Sequence, residues 1–169
     1  LVRMKLNARY SLTVPKTNGW SAYLGAQLGQ ISNENADEFF HFFGGGQVGI
    51  KGYPYYSLQG TDILIFDFGL RVPVFKEKSY SFGPVSIKNM TLSFESQIGD
   101  AWDRSDEFNQ KVSSGFQWRI SGYSFYNYPI AIGFEIHKPH KSFKMEINDG
   151  DKILYGDENR MYFNILFGF

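Results

Sequence analysis

The sequence has no cysteine, no net charge and no apolar segment long enough to form a membrane helix. Without cysteine the chain cannot form a disulfide scaffold or a thiolate metal site. Its 17 lysine and arginine residues are balanced by 17 aspartate and glutamate residues. This balance argues against a nucleic-acid partner, because phosphate binding needs a clustered excess of positive charge. A transmembrane helix is excluded because it needs a run of about 18 or more apolar residues.

Aromatic residues and glycine, by contrast, are abundant. The 169 residues include 17 Phe, 11 Tyr and 18 Gly, yet the mean hydropathy is −0.30. A membrane β-barrel reconciles these values, because lipid-facing and lumen-facing residues alternate along each strand and the average stays unremarkable. The sequence begins at Leu1 within an alternating segment and without a charged-then-apolar leader. We therefore expect that any signal peptide has been removed or lies upstream.

Large apolar side chains alternate with other residues at the end of the chain. Met161, Phe163, Ile165, Phe167 and Phe169 occupy every second position, so in a strand they share one face. This pattern is typical of the terminal strand of a transmembrane β-barrel. A soluble edge strand is the alternative, but fraying at a free chain end disfavours ordered apolar packing there. The predicted C-terminal barrel signal is Phe163, Ile165, Phe167 and Phe169.

The same period of two predicts seven strands. Their approximate bounds are 4–14, 20–30, 61–75, 90–102, 112–121, 130–137 and 161–169. A strand that is apolar on one face and charged on the other suits a wall between lipid and an aqueous lumen better than a soluble core. The sequence therefore predicts an all-β fold, an antiparallel transmembrane β-barrel of which this chain supplies the C-terminal seven or so strands.

The alternation also assigns side chains to the two faces of the sheet. The predicted outer, lipid-facing set is Leu64, Phe66, Phe68, Leu70, Phe116, Trp118, Ile132, Phe134, Phe163, Ile165 and Phe167. The predicted inner, lumen-facing set is Asp67, Arg71, Glu95, Gln97, Arg119 and Glu135. Neighbouring carboxylates can do acid–base work, but charged ladders lining a barrel interior are the simpler interpretation. We assign no catalytic residue. His137 and His140 lack a convincing third ligand, so we interpret them as part of a solvated loop and predict no metal site.

The connections between the predicted strands differ in length. Residues 15–19 and 122–128 are short, whereas 32–60, 103–110 and 138–159 are longer and polar. Short turns on one side and long loops on the other are expected of an outer-membrane barrel. Residues 76–89 stand on the short side and are too long for this rule.

Residues 39–54 combine large apolar groups with repeated glycines, unlike a solvated loop. A phosphate-binding loop is one interpretation of the glycines, but no Lys-Ser/Thr pair opens a following helix. A glycine-rich apolar segment between two membrane strands can instead fold back into the lumen, where glycine permits close approach of backbone to the wall. We therefore predict that residues 32–60 form a lumen-directed loop and that five strands follow in 61–169.

Several short motifs in this part of the chain occur together in one family. Gly45-Gly46 precedes Ile50-Lys51-Gly52-Tyr53, a strand with Phe66-Asp67-Phe68-Gly69 follows, and a later strand ends in Gly99-Asp100-Ala101-Trp102. The combination resembles the outer-membrane surface-antigen superfamily of barrel-assembly and two-partner-secretion transporters, over about residues 39–169. In that family a loop with a Gly-Gly stretch and an Arg-Gly-Tyr/Phe signature enters the barrel, and five strands ending in an aromatic residue follow.

The chain departs from this signature at two positions. Lys51 replaces the usual arginine, and Gln97 falls where an aspartate that pairs with that arginine is common. Lysine is a point charge rather than a bidentate fork, so we expect the loop to be held differently. Glu95, one step along the same face, is the predicted acceptor for Lys51, with Asp67 as the next candidate.

The resemblance implies a barrel of roughly 16 strands in the outer membrane of a Gram-negative bacterium, with upstream strands and a periplasmic domain outside this sequence. It implies a non-enzymatic role in inserting or translocating polypeptides, without a cofactor. The partners would be outer-membrane lipid, the remaining strands or other subunits, and unfolded client polypeptides. A structural barrel that anchors a periplasmic or surface assembly without transport is the alternative. A soluble, lipocalin-like cup is a third interpretation and predicts apolar faces that point inward.

Overall fold

The computed structural model describes residues 2–33, 36–76, 80–124, 127–146 and 152–168. These residues form strands and one short 3-10 helix, Glu38–Phe40. In chain order the strands are β1 (Arg3–Thr13), β2 (Ser21–Ile31), β3 (Phe42–Phe43), β4 (Gln59–Gly60), β5 (Asp62–Phe75), β6 (Tyr80–Phe82), β7 (Val85–Trp102), β8 (Lys111–Ser124), β9 (Tyr128–Pro139), β10 (Phe143–Glu146), β11 (Lys152–Tyr155) and β12 (Arg160–Phe167). In the described part of the chain, no helix is long and apolar enough to cross a membrane.

The seven long strands form one antiparallel sheet. Their order is β1–β2–β5–β7–β8–β9–β12, and the short strand β6 also pairs with β7. Each long strand thus pairs with the next long strand along the chain, which is the usual arrangement for consecutive antiparallel strands. All seven predicted strands are present, and the predicted all-β antiparallel fold is confirmed. Among the described residues, β1 and β12 each pair with one strand, so the sheet is open.

The two faces of the sheet differ sharply in exposure. Phe116 and Phe167 are 64 % and 68 % exposed on one face, whereas Glu95 and Glu135 on the other are 5 % and 4 % exposed. We call the second face, against which residues 42–58 pack, the inner face, and the first the outer face. Because successive side chains of a strand alternate, the register fixes this division along every strand.

The terminal strand β12 follows the predicted alternation. Phe163 and Ile165 are 65 % and 47 % exposed on the outer face, and they pair across to Phe134 and Ile132 of β9. Such cross-strand apolar pairs stabilise an antiparallel sheet. Phe169, the last residue of the predicted barrel signal, lies outside the described residues.

A small apolar core lies between the inner face and the loop that covers it. Its members are Ile31, Phe42, Ile50, Tyr53, Leu58, Ile63, Ile65 and Ala101. Ile63 and Ile65 stand on the inner side of β5, where the strand pattern alone predicts polar groups. They are apolar because the loop excludes water there, and burying each such side chain contributes about 1.5–3 kcal/mol.

The segment 138–159, predicted as a plain polar connection, contains the hairpin β10–β11. Phe143 of β10 packs against Tyr155 of β11 and against Tyr53 of the loop, with ring centroids 5.7 and 5.9 Å apart. This aromatic contact anchors the hairpin to the loop. The alternation does not predict the hairpin, because each of its strands is only four residues long. Residues 147–151 lie outside the described residues.

The connection 76–89 is shorter than predicted. β7 begins at Val85, and β6 turns back to pair with its first residues. β6 and the first residues of β7 therefore extend the paired strands beyond the bounds that the alternation predicts. The turn between β6 and β7 is short. Residues 77–79 and 125–126 lie outside the described residues.

Candidate functional site

We call residues 32–60 the inner loop. Within it, residues 44–53 turn back on themselves before they meet the sheet. The Ile50 N–H donates to the Gly44 carbonyl at 2.6 Å, and the Gly46 N–H donates to the Tyr53 carbonyl at 2.9 Å. Gly45 forms an isolated bridge with Ile50. Gly46 has a φ of +75°, a conformation that glycine adopts without a steric cost. The predicted Gly-Gly stretch thus forms the tight end of a compact loop.

Lys51 points from this loop to the inner face of the sheet. Its ammonium Nζ lies 2.6 Å from Glu95 Oε2 on β7 and 2.6 Å from Glu135 Oε2 on β9. The contact with Glu95 agrees with the prediction. The second acceptor is Glu135 rather than Asp67, because the loop crosses the sheet towards β9 and not towards β5.

Asp67 is engaged elsewhere. Its carboxylate accepts from Arg9 on β1 at 3.1 Å. Gly25 stands between the two residues in the register, and a Cβ at Gly25 would collide with the Asp67 carboxylate. The absence of a side chain on β2 therefore lets Asp67 reach across to Arg9, which corrects its predicted role as a partner of Lys51.

Gln97 binds the backbone of the loop instead of a charge. Its Oε1 accepts from the Lys51 N–H at 2.8 Å, and its Nε2 donates to the Gly49 carbonyl at 2.9 Å. Ser113 Oγ adds a contact to Oε1 at 3.2 Å. An amide supplies both a donor and an acceptor, whereas an ionised carboxylate only accepts. Glutamine is thus suited to this position because one loop partner donates and the other accepts.

The terminal strand β12 also holds the loop, through residues that the sequence analysis did not assign. The Tyr162 hydroxyl donates to the Lys51 carbonyl at 2.7 Å. Asn164 accepts from Gln47 Nε2 at 2.9 Å and donates to Glu135 Oε1 at 3.3 Å. Alternation alone places Tyr162 and Asn164 on the inner face. The local sequence does not indicate which of the inner-face residues contact a loop.

The last residues of the signature seat the loop on β8 and β9. A Cβ at Gly52 would lie 2.5 Å from Ser113 Cβ and 3.0 Å from the Pro139 nitrogen, so only glycine fits without displacement. Tyr53 is fully buried, and its hydroxyl donates to the Lys141 carbonyl at 2.7 Å. Burial raises the pKa of Tyr53.

We call Lys51, Glu95, Glu135 and His137 the charged cluster. Burial acts to lower the pKa of Lys51, but the carboxylates of Glu95 and Glu135 outweigh it and raise this pKa above its ordinary value. The ammonium therefore stays charged at neutral pH, and two buried carboxylates share its single positive charge. A buried carboxylate without such a partner would be strongly unfavourable.

His137 joins this cluster, contrary to its interpretation as part of a solvated loop. It lies in β9, is fully buried, and its Nε2 is 3.2 Å from Glu135 Oε2. His140 is exposed, and its Nε2 is 2.7 Å from Ser114 Oγ. β9 extends to Pro139, so the register places His137 opposite Gly115 on the inner face. The register thus brings His137 together with Glu95 and Glu135, two partners that the sequence analysis did not assign to it.

The remaining predicted inner residues, Arg71 and Arg119, lie on the same cavity as Lys51 and Glu95 of the charged cluster. They line a cavity of about 680 Å³ between the inner loop and the sheet, together with Arg9 and Gln117. Arg71 Nε is 3.5 Å from Ser93 Oγ. The inner face is therefore polar around Lys51 and this cavity, and apolar around Ile63 and Ile65.

Comparison with protein-family models, with curated proteins and with solved structures finds no match to this chain.

Proposed function

We propose that the chain is part of an outer-membrane β-barrel of the surface-antigen type, with the inner loop acting as a lid in the lumen. The outer face carries exposed apolar side chains, while the inner face carries paired charges. In a bilayer the apolar face needs no protein partner, and the charged groups are kept from lipid. A soluble ligand-binding cup would need the opposite arrangement.

The open edges of the sheet support a larger assembly. Among the described residues, β1 and β12 each use one edge for pairing. In hydrocarbon every unpaired N–H or C=O group costs several kcal/mol, so membrane sheets close into barrels. Further strands would complete this barrel, from the same polypeptide, from other subunits or from copies of this chain.

The role that we propose for the barrel is the insertion or translocation of polypeptides at the outer membrane. The single observation that carries it is the attachment of the inner loop through Lys51, whose charge is matched by Glu95 and Glu135. An attachment made of charges and hydrogen bonds can be broken and remade, because water or a client polypeptide can replace the same partners. A lid of this kind would open for an unfolded client.

A static anchoring barrel is the second candidate. It is favoured by the number of strands that hold the loop: Gln97 on β7, Glu135 on β9 and Tyr162 on β12 all bind it. Such a loop would act as a permanent plug. The barrel would then tether a periplasmic or surface assembly.

Conductance across planar bilayers separates the two candidates. The complete protein would be compared with its Lys51→Ala variant and with Lys138→Ala, which removes a lysine from the exposed side of β9. A lid predicts larger or longer openings in Lys51→Ala and unchanged conductance in Lys138→Ala. Equal conductance in all three, with the loop shown by protease digestion to be loosened in Lys51→Ala, would contradict the lid and favour the anchor.

A further inference from the structure

The sheet presents three buried metal-ligating groups around the loop lysine. The carboxylates of Glu95 and Glu135 and the imidazole of His137 have ligand atoms within 4.8 Å of one another. Their side chains are 7 %, 6 % and 0 % exposed. The ammonium of Lys51 lies among them, 2.6 Å from each carboxylate. The sheet thus has a preformed cation site, and the cation in it belongs to the inner loop.

Each of the three ligands also contacts a residue of the sheet. Glu135 Oε1 accepts from Gln117 Nε2 on the neighbouring strand at 2.7 Å. Glu95 is hydrogen-bonded by the Tyr23 hydroxyl. The His137 ring rests edge-on against Tyr162, with centroids 6.1 Å apart. Removing Lys51 would therefore leave the ligands assembled.

The chemistry of the ligands points to a divalent transition metal ion. Zn²⁺ accepts both carboxylate oxygens and imidazole nitrogens, and it binds in sites where three protein ligands leave a fourth position open. Mg²⁺ prefers oxygen ligands and retains its water, so the imidazole selects against it. His137 Nε2 points into the cluster, and its Nδ1 has no hydrogen-bond partner among the described residues. Among the described residues, the imidazole therefore makes its hydrogen-bonding contact within the cluster.

Electrostatics requires some cation in this site. Two buried carboxylates close together cannot both stay ionised without a compensating charge. When the lysine leaves, protons or a metal ion must replace it. A metal ion has the advantage that it also binds the imidazole nitrogen. A proton that binds to a carboxylate makes no use of the imidazole.

We propose that Glu95, Glu135 and His137 bind a divalent transition metal ion of the Zn²⁺ type, in competition with the Lys51 ammonium. Metal and lysine exclude each other, since both occupy the space between the two carboxylates. Metal binding therefore favours release of the inner loop. This last consequence rests on the proposed lid role, whereas the metal site does not.

Binding of Co²⁺, followed by its visible absorption, tests the site in the full chain in detergent. Lys51→Ala should bind Co²⁺ at least about tenfold more tightly than the native protein, and Zn²⁺ but not Mg²⁺ should displace it. Adding His137→Ala to Lys51→Ala should abolish the absorption. Adding His140→Ala, a change at an exposed histidine just beyond the end of the same strand, should preserve it. Lys51→Met, which retains the length of the side chain, provides the same comparison if Lys51→Ala does not fold.

Two results would overturn the metal site. One is the absence of Co²⁺ absorption in folded Lys51→Ala or Lys51→Met. The other is equal binding with and without His137, which would assign the metal to surface groups.

The consequence for the loop is measured separately. The sequence has no cysteine, so Val48→Cys, at a position 73 % exposed on the inner loop, accepts one spin label. Zn²⁺ should increase the mobility of this label in an otherwise native chain. Binding of Co²⁺ that depends on His137, together with an immobile label in Zn²⁺, would support the metal site and reject the lid role.

Discussion

The hydroxyl of Tyr162 on the terminal strand donates to the carbonyl of Lys51 at 2.7 Å. This bond joins the edge of the sheet to the residue that carries the charge of the inner loop. The loop is therefore attached both by the Lys51 side chain to β7 and β9 and by the Lys51 backbone to β12. A movement of β12 relative to β9 would therefore alter the contacts of Lys51 with Tyr162 and Glu135.

We predict that Tyr162→Phe loosens the inner loop without unfolding the sheet. The change leaves the Lys51 carbonyl without its donor, at a cost of about 1 kcal/mol. Hydrogen exchange of the loop amides should therefore accelerate roughly fivefold. Tyr10→Phe is the matched control, because Tyr10 is 66 % exposed on β1. Equal exchange in the two variants would show that the Tyr162 bond does not hold the loop.

Gln97 gives a second prediction, at a position where the resembling family often has aspartate. Gln97→Glu keeps the shape of the side chain but removes the donor to the Gly49 carbonyl and adds a negative charge near Glu95. We expect a loss of about 1–3 kcal/mol in the stability of loop attachment, seen as faster protease cleavage within the loop. The change Gln27→Glu adds a negative charge to the cavity that Gln97 also lines, so it tests whether the added charge alone suffices. Cleavage in Gln97→Glu as slow as in the native chain would mean that the Gly49 contact is unimportant.

The strands could be predicted from the sequence because alternation is a local property. Each strand carries its own period of two, and the antiparallel pairing follows from the order of the strands. The loop contacts could not be predicted in the same way. Glu135 and Tyr162 meet Lys51 across 84 and 111 residues, and nothing local states which strands the loop crosses.

The burial of some inner-face residues could not be predicted from the local pattern either. Ile63 and Ile65 are buried there, since the loop excludes water at that end of the sheet. His137 is buried for a related reason, because β9 runs further than its apolar pattern suggests. The covering loop sets the first environment and the length of the strand sets the second, and neither can be read from the alternation within β5 or β9.

The charge of Lys51 gives a prediction for alkaline solution. Its pKa is raised in the folded protein, so the stabilisation is complete below 10.5, the ordinary pKa of lysine. It is lost as the pH rises through the higher pKa of the folded state. A spin label at Val48→Cys should therefore gain mobility in that range. Lys51→Arg should remove this transition, because guanidinium does not titrate there. A transition of the same size in both chains would assign it to other groups.

The outer face gives a prediction about membranes. Phe116→Arg places a charge on the apolar face of β8, which should disfavour bilayer insertion by about 2–4 kcal/mol near the midplane. Folding into lipid vesicles, followed by protection from protease, measures the effect. Ser11→Arg is the control, because Ser11 lies on the inner side of β1 and lines the cavity. Equal insertion of the two variants would contradict the assignment of the outer face to lipid.

The close approach of Gly52 to the sheet gives the last prediction. In Gly52→Ala the new methyl group would press on Ser113 Cβ and on the backbone of Pro139, which are paired across β8 and β9. Neither strand can retreat cheaply, so the loop must move, at a cost of about 1–3 kcal/mol. Gly133→Ala is the matched control, because its nearest neighbours would be 3.8 Å away.

The exchange of the Lys51 amide, which donates to Gln97, measures the effect of Gly52→Ala. We expect it to accelerate by roughly 5- to 150-fold in Gly52→Ala and to change little in Gly133→Ala. Adding Ser113→Gly to Gly52→Ala removes the closest collision and should restore part of the protection, since the contact with Pro139 remains. Unchanged exchange in Gly52→Ala would show that the loop is not pressed against β8 and β9, and that the glycine of the signature serves the loop backbone alone.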